Sequence, residues 1–536
     1  MSESTLNAPL ASRIASLIHA HFDGLPARSK PKIFPDGSRE WIPMTGIVAV
    51  KGEKTLSENL HCISVTTGAK CLAASHISRC QGLVLHDCHA EILAIRAFNY
   101  WLLNECHALL TEEIKPTIPP DETLEVEQNH VSRSPFIRRR TQIQLEAGTM
   151  TPSVNWPPFE IQPDVKFYMY CTCAPCGDAS MELCMAAQED ATPWEVTRQN
   201  DPSPTHQGDL HEENMLDGRA HFSLLGVVRR KPARIDAEST RSKSCSDKLA
   251  LRQVSSLLSC ETSRLVAPTE NAYLAGLILP EDEISRVACD RSFGENGRMR
   301  ALAGRSWPMN TGHDGSATGY RFRPFEVLSV PVEEIEALWP FAKPKVVRSR
   351  SVLLLEPQSE SRVSTVVPKK SKPGNVSSIW TVASSLSHPC AMTTDNGSKT
   401  LPTLARSKTG LYETIINGVK QGNRLATPTA RGASSLSRAK LWGLHRNIIR
   451  LGKCTHKHEN CQNLGQGNDP SCSVKDANSY KEFKRTGDDI TDPLYIRQEA
   501  IRDAKTVLKG WVSNTGDEGW SLDVLVGSKK RKSEAS

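Results

Sequence analysis

Two short stretches carry residue types that hold metals and move protons. In YCTCAPCGDASMELC, Cys171, Cys173, Cys176 and Cys184 crowd one span, and upstream, in HDCHAEILAIRAF, His89 and Glu91 stand two positions apart. An imidazole and thiolates are ordinary donors to zinc, and a carboxyl beside the ion can shuttle protons. On a regular helix, side chains at i and i+2 diverge by roughly 200°, so His89 and Glu91 can share a site only where a helix begins. The helical pattern AEILAIRAFNYWLL starts at that point. Cys176 follows Pro175 and precedes the helix-like GDASMELCMAA; proline suits a first turn, and a positive helix end lowers a thiol's pKa toward the thiolate that a metal needs. The third donor stays open on spacing. A P-C-x-x-C signature would put cysteine where the chain has Ala179. Cys173 forms a C-x-x-C with Cys176, and Cys245 in SKSCSDKLALR has Lys248 close behind it; both are candidates.

The elements that must position these residues are spread along a long chain. It has 536 residues, 38% of them hydrophobic, and a mean hydropathy of −0.40, which predicts one sizeable core diluted by polar insertions. MTGIVAVKG and ISVTTGAKCLAAS predict short strands, VKFYMYCT and HFSLLGVVRR buried strands, and NAYLAGLILP an apolar core segment. Strands alternating with helices predict an α/β sheet domain. Residues near 113–160, 187–218, 343–374 and 453–478 read as insertions into one domain spanning 15–515, with a tail at 1–14 and a basic tail at 516–536. Ile14, Leu17, Ile18 and Phe22 fit at most one amphipathic helix near the start. Sixteen scattered cysteines and no secretory leader point to a reducing compartment, nucleus or cytoplasm, where clustered cysteines are metal candidates and not disulfides. No apolar run of about eighteen residues exists to span a membrane. A net charge of +6 is compatible with a polyanionic partner. KKRK at 529–532 fits a nuclear import signal or a solvated charge run.

CHAE, APCGDAS and SCSDKLA, in that order, resemble the adenosine deaminase (editase) domain shared by tRNA-specific adenosine deaminases and double-stranded RNA editing enzymes. The resemblance covers about Ala15 to about Asn514 outside the insertions. It implies a cytidine-deaminase-like fold, a mixed sheet flanked by helices with a C-terminal helical extension. It also implies zinc held by His89, Cys176 and Cys245, with Glu91 as the catalytic proton shuttle. Cys171, Cys173 and Cys184 then become packing residues. In that chemistry zinc lowers the pKa of a water to about 7. Attack at C6 of adenine, with Glu91 protonating N1 and then the leaving ammonia, gives inosine.

The duplex-editing relatives carry a Gly-Glu-Gly loop before S-C-S-D-K, whereas this chain reads VVRRKPARIDAESTRSKSCSDK, similar to the K-P-G-R pattern of tRNA-acting members. An anticodon loop already presents splayed bases, so no wedge is needed. The resemblance thus implies the adenosine immediately 3′ of the anticodon in an alanine tRNA, with Lys70, Lys231 and Arg234 as RNA contacts and no obligate protein partner. It further implies a buried inositol hexakisphosphate, matched by Asp87, Arg96, Lys248, Arg438, Tyr480, Lys484 and Trp511. The match departs at Ile95 and Leu251, where the family has arginine; Arg252 is adjacent to the second. Burying several cations without a counter-anion would be prohibitive. Two other classes stay in play: an enzyme acting on duplex RNA, told apart by substrate, and a catalytically silent RNA-binding relative, told apart by bound zinc without inosine. Cys454, His456, His458 and Cys461 in KCTHKHENC are spaced for metal but read as a plain insertion loop.

Overall fold

A strand buried along nearly its whole length must be covered on both faces. Residues 44–50 of the strand Met44–Lys51 are buried, and everything else is built around it. The computed structural model describes residues 8–114, 134–140, 157–187, 216–218, 224–231, 237–308, 319–344, 371–386, 410–460, 477–485 and 493–526. In chain order the elements that matter for function are α1 (Leu10–Asp23), β1 (Met44–Lys51), β2 (Asn59–Thr67), β3 (Ala69–Cys71), β4 (Asp87–His89), α2 (Ala90–Ile114), β5 (Val165–Cys171), α3 (Cys245–Ser255), β6 (Leu274–Pro280), β7 (Glu326–Val330), β8 (Ser377–Thr381), β9 (Leu411–Ile416), β10 (Val419–Lys420), α4 (Arg438–Asn460), α5 (Tyr480–Phe483) and α6 (Pro493–Val507).

Eight strands form one mixed sheet in the order β7-β6-β5-β1-β2-β8-β9-β10. β5, β6 and β7 run parallel to one another; from β5 through β1 to β10 every pairing is antiparallel. The period of two along β1 divides the core. Ile47 and Ala49 face α2 through Phe98, Trp101 and Leu102. Val48 and Val50 face α1 through Ile14, Ile18 and Phe22. α1 lies so close that a Cβ on Gly46 would sit 2.6 Å from Ile18. On the other face Phe98, Trp101 and Phe167 meet edge-on or tilted at 4.8–6.2 Å. The expected α/β fold, a mixed sheet flanked by helices, is the one observed. Among the described residues no helix is long and apolar enough to cross a membrane.

Several expected boundaries move. The first helix begins at Leu10, inside the stretch assigned to a tail, because Ala11 and Ile14 are buried against the sheet. Within 113–160, Ile137–Arg139 pairs with Phe159–Ile161, and Phe136, Ile137 and Phe159 join the main core. The segment 516–526 is folded: Asp517 is 5% exposed, and Trp520 and Leu522 pack with Trp442 and Tyr480. HFSLLGVVRR is not a buried strand over its described part. Leu224 and Leu225 are exposed, and only Arg229–Arg230 has strand geometry. The KKRK run and Cys461 lie outside the described residues, as do the side chains of Cys454, His456 and His458.

Candidate active site

β3 and β4 form a separate two-stranded ribbon in which Ala69 faces His89 and Lys70 faces Cys88. His89 ends β4, and Ala90 begins α2. Glu91 therefore stands in the first helical turn, the one place where the i and i+2 side chains can converge. Cys176 comes from the loop after β5, and Gly177 turns that loop sharply at φ 103°; a Cβ there would collide with Ser244 Oγ at 2.2 Å. Cys245 opens α3. Ser244 caps this helix by accepting from the Asp247 amide at 3.1 Å, and its hydroxyl donates to Asp247 Oδ2 at 2.6 Å. Asp247 also accepts from the Arg229 amide and from Arg298. The run S-C-S-D is thus a capping motif that places a thiol in the first turn.

These parts close on one point. His89 Nδ1 lies 3.8 Å from Cys176 Sγ and 3.6 Å from Cys245 Sγ, and the three donor atoms all lie within 4.8 Å of one another. The Cys245 amide donates to Cys176 Sγ at 3.3 Å. A hydrogen bond from the Cys245 side chain, helped by Lys231 and His89, holds the Cys176 thiol well below its ordinary value against burial. The helix end that favours this thiolate is therefore the start of α3, and not the short helix following Pro175. Burial and the neighbouring Cys176 sulfur push the Cys245 thiol up. Burial and Lys231 oppose protonation of His89, yet the sulfurs of Cys176 and Cys71 raise it to about 10. The donor set thus concentrates negative charge in a buried place, which is the chemistry of a cation site. Two thiols and an imidazole are the donors expected for zinc. Glu91 is 3% exposed, its Oε2 has no hydrogen-bond partner among the described residues, and burial raises its pKa against the pull of His89 and Lys231. A carboxyl held in that way is poised to take up and return a proton.

Asp87 connects this corner to the rest of the molecule. It accepts from the His89 amide at 3.0 Å, from Lys231 Nζ at 2.9 and 3.1 Å, from Ser242 Oγ at 3.2 Å and from Lys248. Burial opposes its ionisation, but the two ammonium groups overcome that and hold the carboxyl well below the usual carboxylate range. Lys231 also donates to Cys245 Sγ at 3.2 Å. The expectation of Lys231 as an RNA contact is therefore corrected: it is 4% exposed and committed to Asp87 and Cys245. Lys70 is exposed on β3 beside the site. Arg234 lies outside the described residues.

Beyond Asp87 lies a gathering of like charges. Burial, Arg497 and Arg96 together push the Arg252 guanidinium down to about 9. Burial and Arg438 lower Arg96, and burial, Lys484 and Arg497 lower Lys505. Lys484 sits 5.7 Å over Tyr480, whose hydroxyl donates to Glu261 at 3.1 Å. Among the described residues the buried Nε atoms of Arg264 and Arg497 have no partner. Such a set fits a polyanion. Of the expected contacts, Arg96, Tyr480 and Lys484 belong to this cluster, Lys248 is engaged by Asp87 and Ser242, and Trp511 has Lys243 and Lys505 over its ring at 5.9 and 5.8 Å. Arg438 stands close enough to this cluster to act on Arg96 and Tyr480, and it also donates to the Asp517 carbonyl and meets His86. Arg497 and Lys505 were missed; their one signal is a basic residue on the apolar face of α6, where Arg497 is buried beside Leu494 and Ile496.

The chain is similar to known proteins over the segments that supply these residues. The adenosine-deaminase (editase) domain matches residues 64–131 and 137–282. A Schizosaccharomyces pombe protein described as tRNA-specific adenosine deaminase 1 is 36% identical over 331 residues, 61% of this chain and 70% of that protein. Its Saccharomyces cerevisiae counterpart is 30% identical, over 53% of this chain and 61% of its own. A mouse double-stranded RNA-specific editase B2 is 26% identical over 50% of this chain and 31% of its own length.

Proposed function

We propose, because the chain belongs to the adenosine-deaminase (editase) domain family, that it hydrolyses adenosine to inosine in tRNA, at the nucleotide 3′ of the anticodon of an alanine tRNA. The observation that carries this reading is the meeting of His89, Cys176 and Cys245 beside the unpartnered carboxyl oxygen of Glu91. Those three residues would hold zinc, which would supply the Lewis acidity that makes a water reactive at neutral pH. Glu91 takes one proton from the attacking water and gives it to N1 of adenine, then takes the proton of the new C6 hydroxyl and gives it to the amino group, which leaves as ammonia as the C6 carbonyl forms. Lys231 and Asp87 hold Cys245 and the His89 backbone in place, and Lys248 adds a second cation to Asp87. Inositol hexakisphosphate is the polyanion we assign to that cluster, on the strength of its crowded guanidinium groups. The tRNA substrate rests on the relatives described as tRNA-specific and on the absence of a Gly-Glu-Gly loop from the stretch before Cys245.

The test is inosine mapping of tRNA incubated with the purified protein. Glu91→Gln is expected to keep stoichiometric zinc by elemental analysis and to lose at least a thousandfold in turnover; a variant that deaminates at the wild-type rate removes Glu91 from the mechanism. Phosphate analysis of acid-denatured protein is expected to find a six-phosphate ligand; its absence rejects the polyanion assignment. Deamination of long duplex RNA with no inosine in tRNA would transfer the chain to the duplex-editing class.

A further inference from the structure

Among the described residues, one grouping of metal donors shares no residue with the site at His89. Cys80, His86 and Asp517 bring a sulfur, a ring nitrogen and a carboxylate oxygen within 4.8 Å of one another. The chain is folded tightly to bring them there. Gln81 and Gly82 both take left-handed backbone, at φ 49° and 66°, so the chain reverses directly after Cys80, and the Leu83 amide closes the turn by donating to the Cys80 carbonyl at 2.9 Å. A glutamine carries strain in that conformation, which the surroundings must enforce. The enforcing contact comes from the far end of the chain. A Cβ on Gly82 would lie 2.1 Å from the Trp520 ring, and the Gly82 amide donates to Asp517 Oδ1 at 2.9 Å, leaving Oδ2 to face His86.

The three donors are buried, and the nitrogen is left over. Cys80 is 0% exposed and the Asp517 side chain 2%. His86 Nε2 lies 2.9 Å from Asp517 Oδ2, but off the line that a ring proton takes, so this buried nitrogen makes no hydrogen bond among the described residues. Two donor atoms that close, with no proton directed from one to the other, are placed to face a common third atom. The Cys80 thiol donates to the His76 carbonyl at 3.3 Å. Arg438 is the charged neighbour: it stands 3.4 Å from Asp517 Oδ2, donates to the Asp517 carbonyl at 3.0 Å and donates to His86 Nδ1 at 3.2 Å. An imidazole, a thiolate and a carboxylate are all zinc donors, and the two anions balance a divalent ion, so the filled site sets no net charge beside that guanidinium.

We propose that Cys80 Sγ, His86 Nε2 and an Asp517 carboxylate oxygen hold a second zinc ion, a structural one that clips the C-terminal segment to the turn before β4. On binding, the Cys80 thiol gives its proton to solvent, and the imidazole moves its single proton from Nε2 to Nδ1. Arg438 then releases Nδ1 and keeps its bond to the Asp517 carbonyl. The ion joins residues 80 and 86 to residue 517, which are neighbours in space only because the segment carrying Trp520 returns to the turn. The site takes no part in deamination and stands apart from the tRNA reading.

The experiment purifies the full chain from zinc-supplemented medium, dialyses it against metal-free buffer, and compares it with Cys80→Ala and Cys80→Ser by elemental analysis per mole of protein. The wild type is expected to hold one more equivalent of zinc than either variant, while both variants keep the ion at His89, Cys176 and Cys245. Counting the difference between chains sets aside any ion bound elsewhere. With cobalt in place of zinc, the wild-type-minus-variant spectrum is expected to show the sulfur-to-metal charge transfer of a single thiolate. Equal zinc in all three chains would overturn the second site and leave Arg438, His86 and Asp517 as a metal-free network. Should the variants fail to fold, zinc-edge X-ray absorption of the wild type decides: two ions with two and one sulfur donors average about 1.5 sulfurs per zinc, whereas the His89 site alone gives about 2, and the second value rejects the proposal.

Discussion

At the scale of residues, Lys231 is the most instructive position. Read as a loop cation next to Pro232 it suggests a phosphate contact, yet it lies buried between Asp87 and the Cys245 sulfur. The two roles predict opposite things. Lys231→Met is expected to lower thermal stability, toward the lower edge of the ~3–5 kcal/mol lost when one partner of a buried pair is removed, since Lys248 and Ser242 still reach Asp87. It is also expected to reduce zinc content after dialysis. A variant with wild-type melting and full zinc, but with a weaker salt dependence of tRNA binding, would return Lys231 to the surface. His89, Glu91 and Cys176 were legible because their chemistry is local: a histidine before a helix, a carboxyl in its first turn, a cysteine after a strand. Cys245 was not separable from Cys173 by spacing, because its place depends on an inter-element contact, the Gly177 turn against the Ser244 cap, and resemblance was what singled it out.

At the scale of elements, the period of two in β1 and the continuous apolar surface of α2 carry most of the fold. The strand and the helix were legible as apolar runs, but the division of β1 between two faces was not, because residues 44–50 are buried on both sides and show no polar alternation. Leu224 and Leu225 mislead for the converse reason. An apolar run becomes a buried strand only if a sheet edge is there to receive it, and here the segment is held by Gly226 donating to Asp178 and ends exposed. The sheet core makes two stability predictions. Trp101→Ala opens space against Phe98, Phe136 and Phe167 and is expected to cost ~3–5 kcal/mol in denaturant unfolding. Gly46→Ala forces a methyl into Ile18 and is expected to cost ~1–3 kcal/mol; pairing it with Ile18→Val should recover part of that loss, and no recovery would place the strain elsewhere.

At the scale of the whole molecule, burial has been bought with neutral histidines. Burial lowers His19 and His21 to about 4, and burial with Arg264 nearby lowers His445 to about 3. His19 meets the Tyr170 hydroxyl and Trp339, His21 meets Trp380, and His445 meets Phe483. An unfolded chain protonates such groups near pH 6.5, whereas the native one resists down to those lower values. Their contribution is therefore intact above about pH 6.5 and erodes as the pH falls toward 4, by up to ~1.4 kcal/mol per pH unit for each histidine. Urea midpoints at pH 7, 6 and 5 are expected to drop accordingly, and His445→Phe should flatten the dependence; an unchanged slope would show that this ring titrates alike in both states. The segment 517–526 was misread because its neighbours lie far back in the chain: Trp520 stacks on Tyr480 at 4.6 Å, and Asp517 binds Gly82 and His86. The order of synthesis gives that arrangement a further meaning. A ribosome delivers the histidine and cysteine donors early, whereas the carboxylate that holds Gly82 and His86 and the indole that stacks on Tyr480 are made hundreds of residues later.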